Sequence, residues 1–244
     1  MTVFIDGTGG GGPRYSLAGS LAAAQNVAGA TLSAWTSYFG GATTNEQIIA
    51  ILSTGTSLAS ARAAITMRHS DGVFRASGRR LDADAVSVIN GTTAISTTRR
   101  HICGVFNYAG GLLQLYVDGT LEGNLAVGGW AGNSSNTASL GAAIGGRPDG
   151  NATSSLDASE VDDVQIFSRA LSATEVRNLA LSRGHGNSAF GRFSKFGLKE
   201  QPEFVNNTPI YNSAISGGSA AAVGTPTSVG GLSCISAGRR RRRR

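Results

Sequence analysis

Val161-Asp-Asp-Val-Gln-Ile-Phe-Ser-Arg-Ala-Leu-Ser172, with Glu175 three residues beyond, is the stretch on which the reading of the fold turns. Its apolar first half reads as a strand over 161–167. Its end reads as a helix start: Ser172 is an N-cap residue and Glu175 the matching capping-box partner. Val176, Leu179 and Ala180 then fall on one helical face, and the helix is expected to end near Gly184.

Outward from this strand-to-helix unit, the upstream chain is punctuated like an all-β protein. Strand-like segments lie near residues 2–5, 31–39, 47–52, 63–68, 72–76, 85–89, 101–107, 112–117 and 139–145, separated by Gly, Asn, Asp and Ser clusters. Such spacing predicts a sandwich or barrel. In Tyr116-Val-Asp-Gly119, the Asp-Gly pair can take the positive φ angles of a tight hairpin turn. The chain has 244 residues with 35 Gly and 5 Pro, a length that suits one all-β domain. Downstream of residue 185 the periodicity fades, three of the five prolines occur, and no acidic residue follows Glu203. The expected organisation is therefore a sandwich over 1–184 followed by an irregular, extended C-terminal arm over 185–244.

Four segments together carry a family resemblance: Thr31-Leu-Ser-Ala-Trp35, Leu115-Tyr-Val-Asp-Gly119, Ala143-Ile-Gly-Gly-Arg147, and the 161–172 stretch with Glu175. In this order and spacing, over about residues 1–183, the chain resembles laminin-G-like domains of the concanavalin-A-like lectin and glucanase superfamily. The resemblance implies an antiparallel two-sheet jelly-roll sandwich with one short helix after its last strand. Many relatives have Trp-His where this chain has Arg100-His101, so surface properties transfer less well than the core pattern of Ile102, Val105 and Phe106.

The superfamily includes glycoside hydrolases, which need two carboxyl groups flanking the scissile bond. Glu160-Val-Asp162 begins the glucanase acid pattern, but the third acid is absent, since residue 164 is Val and residue 165 is Gln. His69, His101 and His185 are scattered, each reading as a surface or edge residue, and no serine sits in a GxSxG elbow. The expectation is a non-catalytic protein. Some laminin-G-like relatives bind calcium through Asp and backbone oxygens at the sandwich rim; Asp118, Asp162 and Asp163 are the residues that could do so here, with turn and strand-end roles as the competing reading. For sugar binding, which uses exposed aromatics with polar neighbours, the candidates are Trp130, in a Gly- and Asn-rich loop, and Asn133. The competing reading folds Trp130 onto the sandwich edge. Trp35, in an apolar strand, reads as core. Gly9–Gly12 lacks any phosphate-loop spacing. Asn-x-Ser/Thr triplets at Asn90, Asn133, Asn151 and Asn206 are expected by chance.

The formal net charge of +6 is located in Arg239, Arg240, Arg241, Arg242, Arg243 and Arg244, because the rest of the chain balances 15 basic against 15 acidic residues. A terminal block of like charge is either solvated or bound to an anionic partner. Nothing else resembles a base-reading module, so a protein partner is expected rather than nucleic acid. Cys103 and Cys234 could pair only if the arm folds back over the sandwich. No secretory leader is expected from Met1-Thr-Val-Phe-Ile-Asp-Gly, and no run of about 20 apolar residues would span a bilayer. By analogy of architecture the expectation is a bacteriophage virion decoration or cement protein. Its arm would bind virion proteins such as the major capsid protein, it would assemble as a homo-oligomer such as a trimer, and it would sit on the virion surface. The alternative is an extracellular carbohydrate-binding adhesin or receptor-binding module that recognises a surface glycan.

Overall fold

The computed structural model describes residues 24–40, 46–55, 57–137, 141–148 and 159–181, and the backbone alone of short strands at 3–5, 14–17, 198–200, 203–205, 208–210, 220–223 and 227–228. In chain order the strands begin with β1 (Val3–Ile5), β2 (Arg14–Leu17), β3 (Ala30–Tyr38), β4 (Glu46–Ser53), β5 (Ala61–Arg68) and β6 (Val73–Gly78). There follow β7 (Ser87–Ala94), β8 (Arg100–Asn107), β9 (Leu112–Val117), β10 (Thr120–Ala126), β11 (Gly141–Ile144) and β12 (Ser159–Phe167). Helix α1 (Ala173–Leu181) comes next, then β13 (Leu198–Glu200), β14 (Glu203–Val205), β15 (Thr208–Ile210), β16 (Ala220–Val223) and β17 (Thr227–Ser228).

Two antiparallel sheets form the sandwich. One runs β10-β9-β8-β3-β12-β1-β17, with β13 also on β12, and the other runs β16-β2-β11-β4-β5-β6-β7. Leu32, Ile102, Phe106, Leu113 and Leu115 of the first sheet share a core with Ile49, Leu52, Ile65, Met67 and Phe74 of the second. The alternation of side chains along each strand makes this two-sided arrangement possible. The Asp-Gly hairpin, the helix start and the main strands expected from the sequence are borne out here, whereas β2 was not expected and the expected helix end near Gly184 lies outside the described residues. Asp118 and Gly119 take φ of 50° and 77° between β9 and β10, as a two-residue hairpin turn requires.

The 161–172 stretch contains a device that periodicity alone does not reveal. Along β12, Asp162 lies opposite Trp35 but Gln165 lies opposite Ser33, so one extra residue is bulged out. Asp163 occupies it with φ of 47°. The bulge lets Val161, Val164 and Ile166 all reach the inner core despite their uneven spacing. Phe167 points the other way and, with Cys103, Val105 and Tyr116, receives Leu171 from the helix approach and Val176 and Leu179 from the helix. The capping box closes as expected: Ser172 N and Oγ both donate to Glu175 Oε2, at 2.9 Å each, and Glu175 N donates back to Ser172 Oγ at 3.3 Å. Arg169 adds a fork to the same carboxylate.

The stretch expected to be an irregular arm contributes short strands to both sheets. β13 pairs with β12, β16 with β2, and β17 with β1, while β14 and β15 pair with each other. On the opposite side of the sandwich the sheets meet through β7 and β10. There Glu122, at a register shift in β10, accepts from Thr92 N and Thr93 N at 2.8 and 3.1 Å and from the Thr93 hydroxyl. No helix among the described residues is long and apolar enough to cross a membrane.

Candidate functional site

The outer face of the eight-stranded sheet divides in two. Its apolar half, around Cys103 and Val105, lies under α1. Beyond the helix, registers set Asp162 on β12 beside Trp35 on β3 and His101 on β8. Arg99, just before β8, places its guanidinium over the Trp35 ring, 5.4 Å from the centroid, and pairs with the Asp162 carboxylate. The His101 ring stands 5.4 Å from that of Trp35, tilted by 57°. Its Nε2 is 2.8 Å from Ser33 Oγ. Arg100 pairs with Asp118 at 2.6 Å, and the same carboxylate accepts from His101 N at 2.9 Å. Ser37 Oγ donates to Glu160 Oε2 at 3.1 Å.

His101 is 1% exposed, and burial brings its pKa down to about 4 against the opposing pull of the Asp118 charge. It is therefore neutral at pH 7, and it is not the surface residue that its sequence setting suggested. Two polar atoms at this spot are buried with no hydrogen-bond partner: Trp35 Nε1 and His101 Nδ1. Buried polar groups are normally satisfied.

Trp130 follows its competing reading and folds inward, whereas Trp35 is not the core residue expected. Trp130 is 3% exposed, belongs to the main core, and packs its ring against Tyr108 at 5.1 Å. A ring covered in this way offers no face to a sugar. The Gly-rich loop around it gives the backbone enough freedom to turn the indole inward. Trp35 instead lies on the outer face, partly exposed, because the inward positions of β3 are Leu32 and Ala34. Asn133 is exposed, and its amide donates to Asn26 O and Oδ1 at 3.1 and 3.2 Å, tying two rim loops together.

The aspartates proposed for calcium have other employment. Asp118 holds Arg100 and the His101 backbone, and Asp162 holds Arg99 and the backbone N–H of Asp163. Asp163 accepts from Gln165 Nε2 at 3.1 Å. Among the described residues no three His, Cys, Asp or Glu side chains are gathered as a metal would need. Cys103 is a free, buried thiol whose pKa is raised by burial. Cys234, His185, Gly9–Gly12, Asn151, Asn206 and Arg239–Arg244 lie outside the described residues.

Arg62 is the residue that sequence reading missed. Fully buried in β5, it pairs with Asp82 at 2.6 Å and donates through Nη1 to the carbonyls of Ala24, Ser135 and Thr137 at 2.9–3.1 Å. Burial alone would raise the Asp82 pKa. Hydrogen bonds from Thr137, Ser135 and Arg62, with the Arg62 charge, bring it down to about 2 instead. Arg62, set near the start of the largely apolar strand β5, was the available signal.

A family model described as the concanavalin A-like lectin/glucanases superfamily matches residues 10–177. The chain belongs to this superfamily. The resemblance read from its motifs, and the jelly-roll architecture, hold. Among solved structures, this superfamily member is similar to a native heptameric SAP-like pentraxin from Limulus polyphemus, at 18% identity and a TM-score of 0.61, over 90% of this chain and 94% of that one. It is also similar to a putative carbohydrate binding protein from Bacteroides ovatus, at 12% identity and a TM-score of 0.62, over 93% of this chain and 58% of that one. A third is the botulinum neurotoxin serotype D binding domain, at 12% identity and a TM-score of 0.53, over 75% of this chain and 42% of that one. At such identities the likeness is one of fold, and the chain spans less than two thirds of the second and third structures. A search of curated protein sequences finds no match. The fold is that of lectin-like binding domains.

Proposed function

We propose that the chain is a non-catalytic binding protein of a virion surface, with the sandwich presented outward and the segment from roughly 185 to 244 attached to virion proteins such as the major capsid protein. The observation that supports it is the pairing of β13, β16 and β17 with three different strands of the sandwich. A segment that bonds to sheet edges through its backbone uses the means by which chains also join neighbours. The arginine run adds a charge suited to an acidic protein surface. Non-catalysis is supported by the outer-face acids, since Asp162 is held by Arg99 and Glu160 by the Ser37 hydroxyl. The test is sedimentation of the full chain with undecorated capsids, beside a variant with Arg239–Arg244 all replaced by Gln. Weakened attachment that varies with salt is expected for the variant, and unchanged attachment would remove the arm from the account.

A second reading is a carbohydrate-binding adhesin or receptor-binding module. It is favoured by the partly exposed Trp35 among charged and hydroxyl side chains, and it accords with the Bacteroides ovatus likeness. A glycan array probed with the full chain tests it; the absence of any saturable signal would dismiss it.

A further inference from the structure

We propose that the hairpin β14–β15 of the C-terminal segment lies across the outer face of the seven-stranded sheet and covers an apolar patch there with Phe204 and Pro209. The inference goes beyond both readings above: it assigns residues 203–210 to the chain's own sandwich, whichever partner the arginine run meets.

The patch consists of Ile48 and Ile51 of β4, Ala61 and Ala64 of β5, and Ala143 of β11. On the same strands Ile49, Leu52, Ile65 and Ile144 belong to the core between the sheets, so the patch projects from the opposite face. Each of its residues is 1% exposed or less. An apolar sheet face is buried in this way when another layer lies on it. Among the described residues, Leu58 is the partly buried apolar residue packed on the patch. One side chain does not span three adjacent strands set about 4.8 Å apart. Toward β6 the face turns polar, where Glu46 is engaged by both Arg75 and Thr66. The rest of the cover therefore has to come from beyond the described residues.

Sequence and topology single out the hairpin. Of the nine phenylalanines, Phe190, Phe193, Phe196 and Phe204 fall in the C-terminal segment, whereas residues 6–13, 18–23, 41–45, 138–140 and 149–158 contain no aromatic residue. β13 pairs with β12 in one sheet and β16 with β2 in the other, so the chain passes from the first sheet to the second between residues 200 and 220. β14 and β15 lie in that passage, and β15 rests against β16. In the order β16-β2-β11-β4 the patch begins two strands from β16, about 10 Å away. Residues 211–219, at about 3.3 Å each, can bridge that distance. Register sets Phe204 opposite Pro209, which makes one face of the hairpin wholly apolar.

The test places a photo-crosslinking benzoylphenylalanine at position 204 of the full chain and maps the attached peptide by mass spectrometry. Attachment within one chain to residues 46–53, 61–68 or 141–144 is expected. Attachment to these strands in a second chain would overturn the intramolecular cover in favour of an exchanged one, and attachment anywhere else would overturn the site. A second measurement reads the patch itself. With Cys103→Ala and Cys234→Ser in place, the thiol of Ile51→Cys should react with a water-soluble thiol reagent at least tenfold faster once Phe204→Ser is added. An unchanged rate would mean that another segment covers the patch. If the cysteine variants fail to fold, the crosslink still decides. Attachment through the arginine run and glycan binding are decided by their own tests and survive either result.

Discussion

A neutral imidazole sealed against Trp35 ties the stability of the sandwich to pH. In the unfolded chain His101 takes up a proton near pH 6.5, and in the folded one only near pH 4. Between those values the unfolded state holds more protons, so stability is lost as pH falls through this window, by roughly 3 kcal/mol when complete. Below it, Glu175 adds to the loss. Hydrogen bonds from Arg169 hold its pKa at about 2 against a burial effect that raises it, so that contribution fades as pH falls below 4.5. Urea midpoints at pH 7, 5.5 and 4.5 should fall in that order, and His101→Phe should flatten the upper part of the decline. At the same scale, Trp130→Ala should cost about 3–5 kcal/mol as a core truncation, and Trp35→Ala clearly less. Denaturation curves of the two variants check the assignment of core and surface. The sequence could not supply this distinction. An indole between Gly129 and Ala131 and one in Thr31-Leu-Ser-Ala-Trp35 differ in which way the backbone turns them, and this depends on partners distant in the chain.

Among the elements, the helix and its entry were legible because capping chemistry is local. Ser172 and Glu175 lie three residues apart and satisfy each other whatever surrounds them. Ser172→Ala should therefore cost about 1 kcal/mol, read as a lowered urea midpoint with unchanged slope. The bulge in β12 was not legible, since two adjacent aspartates before Val164 do not announce which of them leaves the ladder. Asp163→Val should cost about 1–2 kcal/mol, because a β-branched side chain is poorly tolerated at φ of 47°. Asp163→Gly, which relieves that constraint, should cost less even though it loses the bond from Gln165. A pair of thermal melts separates the two. The short strands β13 to β17 also escaped reading. Runs of two to four residues hold no alternation long enough to count, and their pairing is set by the edges they meet.

For the molecule as a whole, the order of strands leaves different work at its two sides. Along one, Glu122 bridges β7 and β10 and occupies the N–H groups of Thr92 and Thr93. Glu122→Ala should loosen that side, and faster hydrogen exchange at Thr92 and Thr93 with little change elsewhere is the expected outcome. Along the other, the last strands are β16 and β17, which the chain brings from beyond its helix. The family fold was visible in four motifs, among which the Asp118-Gly119 turn and the Ser172–Glu175 cap are set by local chemistry. Surface chemistry was not, because Trp35 and Asp162 come from two strands and Arg99 from the approach to a third, and they meet only once the sheet has formed.

The Glu122 bridge makes the sandwich a terminator in one direction. Sheets grow by adding strands at open edges, and here one flank is stoppered by a carboxylate while the other ends in strands of the chain's own tail. Removing that carboxylate would free the N–H groups of Thr92 and Thr93 to donate to the carbonyls of another strand.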